Sequence, residues 1–380
     1  MGRRTMIVLL ALVALAGIPS CRLQQPATAE SLPSRLSDEA FWQLITDFSE
    51  PNGFFRSDNF LSNEREYQWV IPTLVSTVAP GGVYLGVGPE QNFSYIAALR
   101  PKLAFIVDVR RGNLHAHLLY KAFFELSTDR AEFLSRLFAR PRPASLAAGK
   151  SVDVQTLLAS YRREAPSIDL FNQYLSEAKD WLVRRHGFDL SDDDLAGIEY
   201  VYRAFLEGGP ELNYSFPNGG FGRNGNFPTY AELMTETDGK GEHRSYLASD
   251  LQFRMLSELQ KSNAIVPLVG NFAGPKALRA VGSYLRRHNA TVSAFYTSNV
   301  EMYLFQQDDD WRKFYGNVAA LPLGDGSTFI RSVSSRGFRF QFRGGGPGRA
   351  STRLSSMADL VRDYSAGRID GYYDVIAMSR

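Results

Sequence analysis

Val83-Tyr-Leu-Gly-Val-Gly-Pro-Glu90, preceded by Gly81 and Gly82, is the stretch that decides how this chain is read. Val83, Tyr84 and Leu85 form a short apolar run that Gly86 and Gly88 close, which is the pattern of a buried strand ending in a turn. The residues from Asn92 to Arg100 then read as a helix, stopped by Pro101 because proline has no N–H to continue it. Leu103-Ala-Phe-Ile-Val-Asp108 follows as a second strand, and Asn113 to Leu126 as a second helix with Leu114, Leu118 and Phe124 among its apolar positions. Strand, helix, strand, helix is a βαβ unit. Strands that are apolar throughout belong in a parallel sheet covered on both faces.

Outward from this unit the pattern persists. Upstream, Ser37 heads a helix with Phe41, Leu44 and Ile45 on one face, and residues 51–64 form a Gly/Asn/Ser/Asp-rich loop with aromatics. Downstream, residues 128–210 are almost wholly helical in pattern. The clearest helix begins at Ser191 with Asp192, Asp193 and Asp194, which read as a solvated acidic start favoured by the helix dipole, carries Leu195, Ile198, Tyr202 and Phe205 as its stripe, and ends at Gly208. Strand and helix alternate again from Tyr246 to Lys261, Ala264 to Gly270, the helix containing Leu278, Val281 and Leu285, Thr291 to Tyr296, Trp311 to Ala320 and Ser327 to Val333. A last helix and then a strand are expected from Ser356 to Ser379. The expected fold is therefore α/β: a doubly wound, mostly parallel Rossmann-like sheet in a single domain over residues 37–380, with a large helical insertion at about 128–245.

Glycines between a buried strand and a helix start permit a tight turn and let a ligand approach backbone N–H groups. Asp108 ends the second strand twenty residues after Gly88, where a carboxylate can accept both hydroxyls of a ribose. The bland readings are a plain turn at Gly86 and Gly88 and a helix cap at Asp108.

On these residues the chain resembles the class I S-adenosylmethionine-dependent methyltransferases. In that family the first strand ends in an acidic-x-Gly-x-Gly-x-Gly loop and the second in an acid. Gly86, Gly88 and Asp108 carry over, whereas Tyr84 stands at the first acid and Glu90 at the third glycine. The resemblance implies S-adenosylmethionine as cofactor. It also implies a polar residue lining the transfer site at the end of the fourth strand. Asn299 is the candidate there, with Glu301 as a base, against the alternative of a helix cap. Asn271, after the preceding strand, is placed beside a bound adenine. NAD fits less well, because Gln91 occupies the last glycine of Gly-x-Gly-x-x-Gly.

Several chemistries are excluded. Lys plus Arg (42) nearly balances Asp plus Glu (40), so no domain-wide basic field exists to track a phosphate backbone, and no nucleic-acid partner is expected. His115 and His117 point to different faces of one helix and there is no Cys beside them, so no metal site is expected. No Gly-x-Ser-x-Gly, His-Glu-x-x-His or Walker loop occurs. The expected partner is a small molecule. The loop from Ser215 to Thr229, with Phe216, Phe221 and Phe227, reads either as a binding loop or as an ordered connection, and 343–349 as a surface loop.

The first residues run from Arg3 and Arg4 through an apolar stretch to Gly17, Ile18, Pro19, Ser20 and Cys21. This order is that of an export signal over residues 1–21, and the apolar run is shorter than the ~20 residues of a membrane span. Residues 22–36 read as a linker. Cys21 is the only cysteine, and Ile18-Pro-Ser-Cys21 resembles the lipobox of bacterial lipoproteins; cleavage after Ala27-Thr-Ala29 is the competing reading. The protein is thus expected in the periplasm or cell envelope, held to the membrane through a lipid anchor if Cys21 is lipidated. Metabolic palmitate labelling should mark the wild type and fall to background in Cys21→Ala; equal labelling would sink the anchor.

Overall fold

The computed structural model describes residues 31–214, 227–334 and 350–379. The export segment with Cys21, most of the linker, the Phe216 and Phe221 part of the long loop and residues 343–349 lie outside the described residues. Helix α1 (Asp38–Phe48) starts at Ser37, whose hydroxyl accepts the Ala40 N–H at 3.0 Å, and it buries Phe41, Leu44 and Ile45. The chain is pinned one residue earlier: the Leu36 N–H donates to Ser262 O, and its carbonyl accepts from Asn263 Nδ2, each at 3.1 Å. The expected linker thus stops short of Leu36. A single leucine among polar residues has no period that reveals its burial.

Helix α2 (Ile71–Thr77) leads to β1 (Val83–Gly86), α3 (Gln91–Leu99), β2 (Leu103–Asp108) and α4 (Arg111–Leu126). Five further helices follow, α5 (Arg130–Phe138), α6 (Val154–Arg162), α7 (Ile168–Asp180), α8 (Asp192–Gly208) and α9 (Tyr230–Thr235). The alternation returns with α10 (Asp250–Lys261), β3 (Ile265–Val269), α11 (Ala277–Arg287), β4 (Val292–Ser298), α12 (Val300–Leu304), α13 (Asp310–Ala319) and β5 (Leu323–Ser334). The chain ends in β6 (Ala350–Ser356), α14 (Met357–Ser365) and α15 (Tyr372–Ala377).

The strands form one six-stranded sheet in the order β3-β2-β1-β4-β5-β6. All neighbours run parallel except β5 and β6, which are antiparallel. Every residue of β1, β2 and β3 is buried, so this part of the sheet is covered on both faces. Pro267 within β3 is tolerated because β3 is an edge strand. The segment after α1 blunts that edge: Val269 N–H donates to Ser49 Oγ at 3.0 Å and Glu50 N–H to Val269 O at 2.8 Å.

The expected order at the C-terminus is reversed. The strand comes first, as β6, and the residues after Ser356 form two helices. Ala-Ser-Thr-Arg-Leu-Ser-Ser contains one large apolar residue, so its pairing with β5 rather than its composition makes it a strand.

Helix α4 joins the sheet to the helices that follow it. Every residue from Asn113 to Phe124 is buried, which marks a helix sandwiched between two layers. Phe124 stacks on Phe133 of α5 with centroids 4.5 Å apart and meets Phe253 of α10 at 5.3 Å, while Phe123 meets Tyr202 of α8 at 5.1 Å. Its one buried lysine is fully bonded: Lys121 Nζ reaches Glu125, the Gln260 carbonyl and Asn263 within 2.7 Å.

Asp194 corrects the expectation of a fully solvated acidic helix start. It completes the Ser191 capping box but is itself buried, accepting from Arg111 Nε at 2.5 Å and meeting His115 Nε2 at 2.8 Å. Burial opposes its ionisation, yet these bonds and that from Ser191 outweigh burial and hold the carboxyl well below the usual range.

Because α4 packs on both layers, Phe124→Ala should remove about 3–5 kcal/mol of stability. Denaturant unfolding should show a single transition at lower midpoint; two separated transitions would show that the layers fold independently.

Candidate ligand-binding site

The turn after β1 is built around the side chain of Asn92. Its Nδ2 lies 2.9 Å from Val87 O, 3.2 Å from Gly88 O and 2.7 Å from Pro89 O, while its Oδ1 accepts the Tyr84 hydroxyl at 2.9 Å. Gly86 has to be glycine here, since a Cβ would lie 1.9 Å from Asn92 Oδ1 and 2.9 Å from Tyr84 Cε1. Tyr84 is thus a buried support for the turn. Gly88 is glycine for another reason. Its φ of +74° lies in the left-handed region, and a Cβ would meet nothing within 4 Å. His117 from α4 donates its Nε2 proton to Gly88 O at 2.9 Å, and burial holds this imidazole down to about 4, hence neutral.

A cavity of about 400 Å³ opens outside the carboxyl ends of β1, β2, β3 and β4. Gly88, Asp108, Asn271, Ser298 and Asn299 face it from the strand ends, and residues of the loop 53–64 roof it. Of the residues singled out in the sequence, Gly88, Asp108, Asn271 and Asn299 are thereby brought together. Gly86 lies beneath the turn and does not line the cavity.

Asp108 is buried, with Oδ1 accepting the Arg110 N–H at 2.9 Å and Oδ2 3.2 Å from Arg110 Nη2. It closes a turn at the strand end and does not cap α4, whose N-cap residue is Arg110. The same guanidinium donates to the carbonyl of Asp58 in the roof. Gly53 N–H to Val109 O and Arg111 N–H to Asn52 Oδ1, both 2.8 Å, fasten the roof further. On the β4 side Phe55 packs edge-on against Tyr303 with centroids 5.4 Å apart. Asn271 Oδ1 accepts the Ala273 N–H at 2.9 Å. Asn299 heads α12 without a side-chain capping bond, so the alternative role of an N-cap is not what it performs.

Glu301 is the misplaced candidate. It is buried away from the cavity, bonded by Arg331 Nε at 2.5 Å and Nη2 at 3.2 Å, and by the Tyr315 hydroxyl at 2.8 Å. An ion pair this enclosed positions the end of the sheet and offers no base to a ligand.

Sequence reasoning passed over Glu64. Its Oε2 accepts from Gln91 Nε2 at 3.1 Å, the Ser298 hydroxyl bonds its Oε1, and it lines the cavity although it is only 3% exposed. Burial pushes its carboxyl up, and the bonds from Ser298 and Gln91 offset this in part. The available signal was the aromatic-polar loop in which it sits. Glu90, nearby, is buried beneath the Ser62 N–H and pushed up to about 8. A larger depression, about 480 Å³, lies at the opposite edge, but its only ionisable side chains are Lys102 and His288. Among the described residues no cluster of His, Cys, Asp and Glu could hold a metal ion.

The family model described as a domain of unknown function (DUF7790) matches residues 59–352, and the chain belongs to that family. The match takes in the cavity from Asn59 onward and leaves out Gly53, Phe54 and Phe55 of the roof. A comparison with curated proteins finds no match.

The two glycines should respond differently to alanine. Gly88→Ala meets no neighbour and should cost about 1–2 kcal/mol through its left-handed backbone. Gly86→Ala displaces Asn92 and leaves buried polar groups unpaired, a loss of at least about 3 kcal/mol. Equal losses in thermal unfolding would mean that Asn92 does not hold the turn.

Proposed function

We propose that this protein binds a nucleoside-containing small molecule, S-adenosylmethionine or a close relative, on a doubly wound, Rossmann-like sheet of the methyltransferase type. The observation that carries this reading is that Gly88 and the Asp108 carboxylate face one cavity at the place where the strand order reverses, between β1 and β4. In open α/β sheets that crevice is where ligands sit. A volume of about 400 Å³ is that of a small-molecule site.

The residues fit a nucleoside. Asp108 is held by a single guanidinium and one backbone N–H, which leaves acceptor capacity for a ribose diol. Gly88 lets a ligand lie against the backbone, and Asn271 offers its amide at the neighbouring strand end. When bound, S-adenosylmethionine supplies a methyl group on a sulfonium centre. Asn299, at the end of β4, is the polar side chain placed to orient a nucleophile there. With Glu301 locked to Arg331, no base of that helix reaches the cavity. Together with the export signal read in residues 1–21, this favours binding without turnover. S-adenosylmethionine is made in the cytoplasm, so an envelope protein on this frame is best read as a non-catalytic receptor for a small ligand.

Calorimetric titration of the full chain with S-adenosylhomocysteine and adenosine tests the reading. Asp108→Ala should weaken binding by about 1.5–3 kcal/mol, roughly ten- to hundredfold. Lowered melting temperature with unchanged affinity would reduce Asp108 to a turn residue and remove the main support for a nucleoside site.

A further inference from the structure

We infer that Glu64 receives a positively charged group of the ligand, so that the cavity selects nucleosides bearing a cationic sulfonium or ammonium substituent over neutral ones. This rests on the nucleoside reading above and adds the charge of the substrate class to it.

Among the described residues three charged side chains line the cavity: Glu64, Asp108 and Arg110. Asp108 and Arg110 neutralise each other at 3.2 Å. Glu64 is left over. Its bonds come from the Ser298 hydroxyl and the Gln91 amide, with the hydroxyls of Tyr296 and Ser332 beside them, all neutral, and no cation among the described residues pairs with it. The titratable groups that face it are tyrosines, Tyr84 from β1, Tyr95 from α3, Tyr296 from β4 and Tyr372 from α15, all uncharged at neutral pH. Ser332 of β5 is a further neutral neighbour.

A carboxylate taken out of water without a cation either keeps a proton or acquires a partner. Glu64 is held in place for a partner. Ser62 Oγ accepts the Glu64 N–H at 3.2 Å and donates to Gln91 Oε1, and Gln91 in turn holds the carboxylate. The loop, α3 and the end of β4 thus all converge on one acid at the cavity wall. A glutamine here keeps the shape and accepts from Gln91, while its amide N–H can donate to the Ser298 hydroxyl, so a structural tie survives the loss of the charge. The charge matters only to something that enters the cavity.

The sign of the pH dependence follows. Burial raises the Glu64 pKa in the free protein. An arriving cation favours the ionised form, so at pH values around and below the raised pKa binding expels a proton. Affinity for a permanent cation should therefore rise as pH rises through the raised pKa, while affinity for a neutral nucleoside stays flat.

The experiment is calorimetry of the full chain with S-adenosylmethionine and with adenosine, in buffers of different ionisation enthalpy, for wild type and Glu64→Gln. The expected result is proton release with S-adenosylmethionine alone, and in Glu64→Gln a loss of that release with about ten- to hundredfold weaker S-adenosylmethionine binding and unaltered adenosine binding. Adenosine and S-adenosylmethionine affected alike, or proton release that survives the substitution, would overturn the inference and leave the nucleoside reading standing. Binding of neither probe to the wild type would overturn the nucleoside reading itself. Should Glu64→Gln fail to fold, the wild-type pH profile decides: parallel profiles for the two probes overturn the inference, and a rise with pH for S-adenosylmethionine alone supports it.

Discussion

The amide of Asn92 is the constraint on which the rest of the site depends. Its two protons are shared among the carbonyls of Val87, Gly88 and Pro89, and its oxygen is fixed by Tyr84. The amide and the phenol are fully buried, so losing the amide would leave carbonyls and a phenol without partners in a medium where each unpaired group costs about 1–3 kcal/mol. The amide leaves no room for a side chain at residue 86, and by turning the carbonyls inward it keeps the backbone at Gly88 open to the cavity. His117 fastens the same carbonyl to α4, so the floor of the site moves only if the layer beneath it does.

The roof is held with equal redundancy. Arg110 ties Asp108 to the Asp58 carbonyl, Asn52 receives the Arg111 N–H, and Gly53 reaches Val109. Arg111 is in turn clamped by Asp194 from α8, which carries the constraint into the inserted helices. The loop before β1 and the insertion after β2 therefore meet at the carboxyl end of β2, beside Asp108. The insertion and the sheet share α4 as a common wall, and the cavity's shape depends on both.

The sequence revealed what depends on periodicity and little of what depends on distant pairing. β1, β2 and β3 are apolar at nearly every position because both their faces are covered, and such runs closed by glycine can be read directly. Ser37 and Ser191 were legible as caps because the bond they make is local. β6 was not legible, since a polar strand exists only through its partner β5. Asp194 looked like a solvated helix start because Arg111 and His115 lie some eighty residues away in sequence. Glu301 looked available because Arg331, thirty residues on, could not be placed. That Gly88, Asp108, Asn271 and Asn299 come to one cavity was legible because parallel strands deliver their carboxyl ends to one edge whatever the rest of the chain does. Glu64 belongs to a loop with no period, and its contact with Ser298 spans 234 residues.

Tyr84 and Glu90 depart from the glycine-rich pattern in a way that makes physical sense together. A turn held by glycines alone is shaped by the ligand it meets, whereas this one is shaped by Asn92 and Tyr84 before any ligand arrives. A side chain in place of the last glycine is tolerated because it is turned into the core, where Glu90 takes the Ser62 N–H and so fastens the roof to the floor. The two departures stiffen the same junction from opposite sides. A preformed cavity loses less ordering entropy on binding, and it discriminates by the charges built into its walls more than by closing around its ligand. The pairing of Asp108 with Arg110 leaves Glu64, held between the roof and the end of β4, as the charge in that wall without an opposite partner among the described residues.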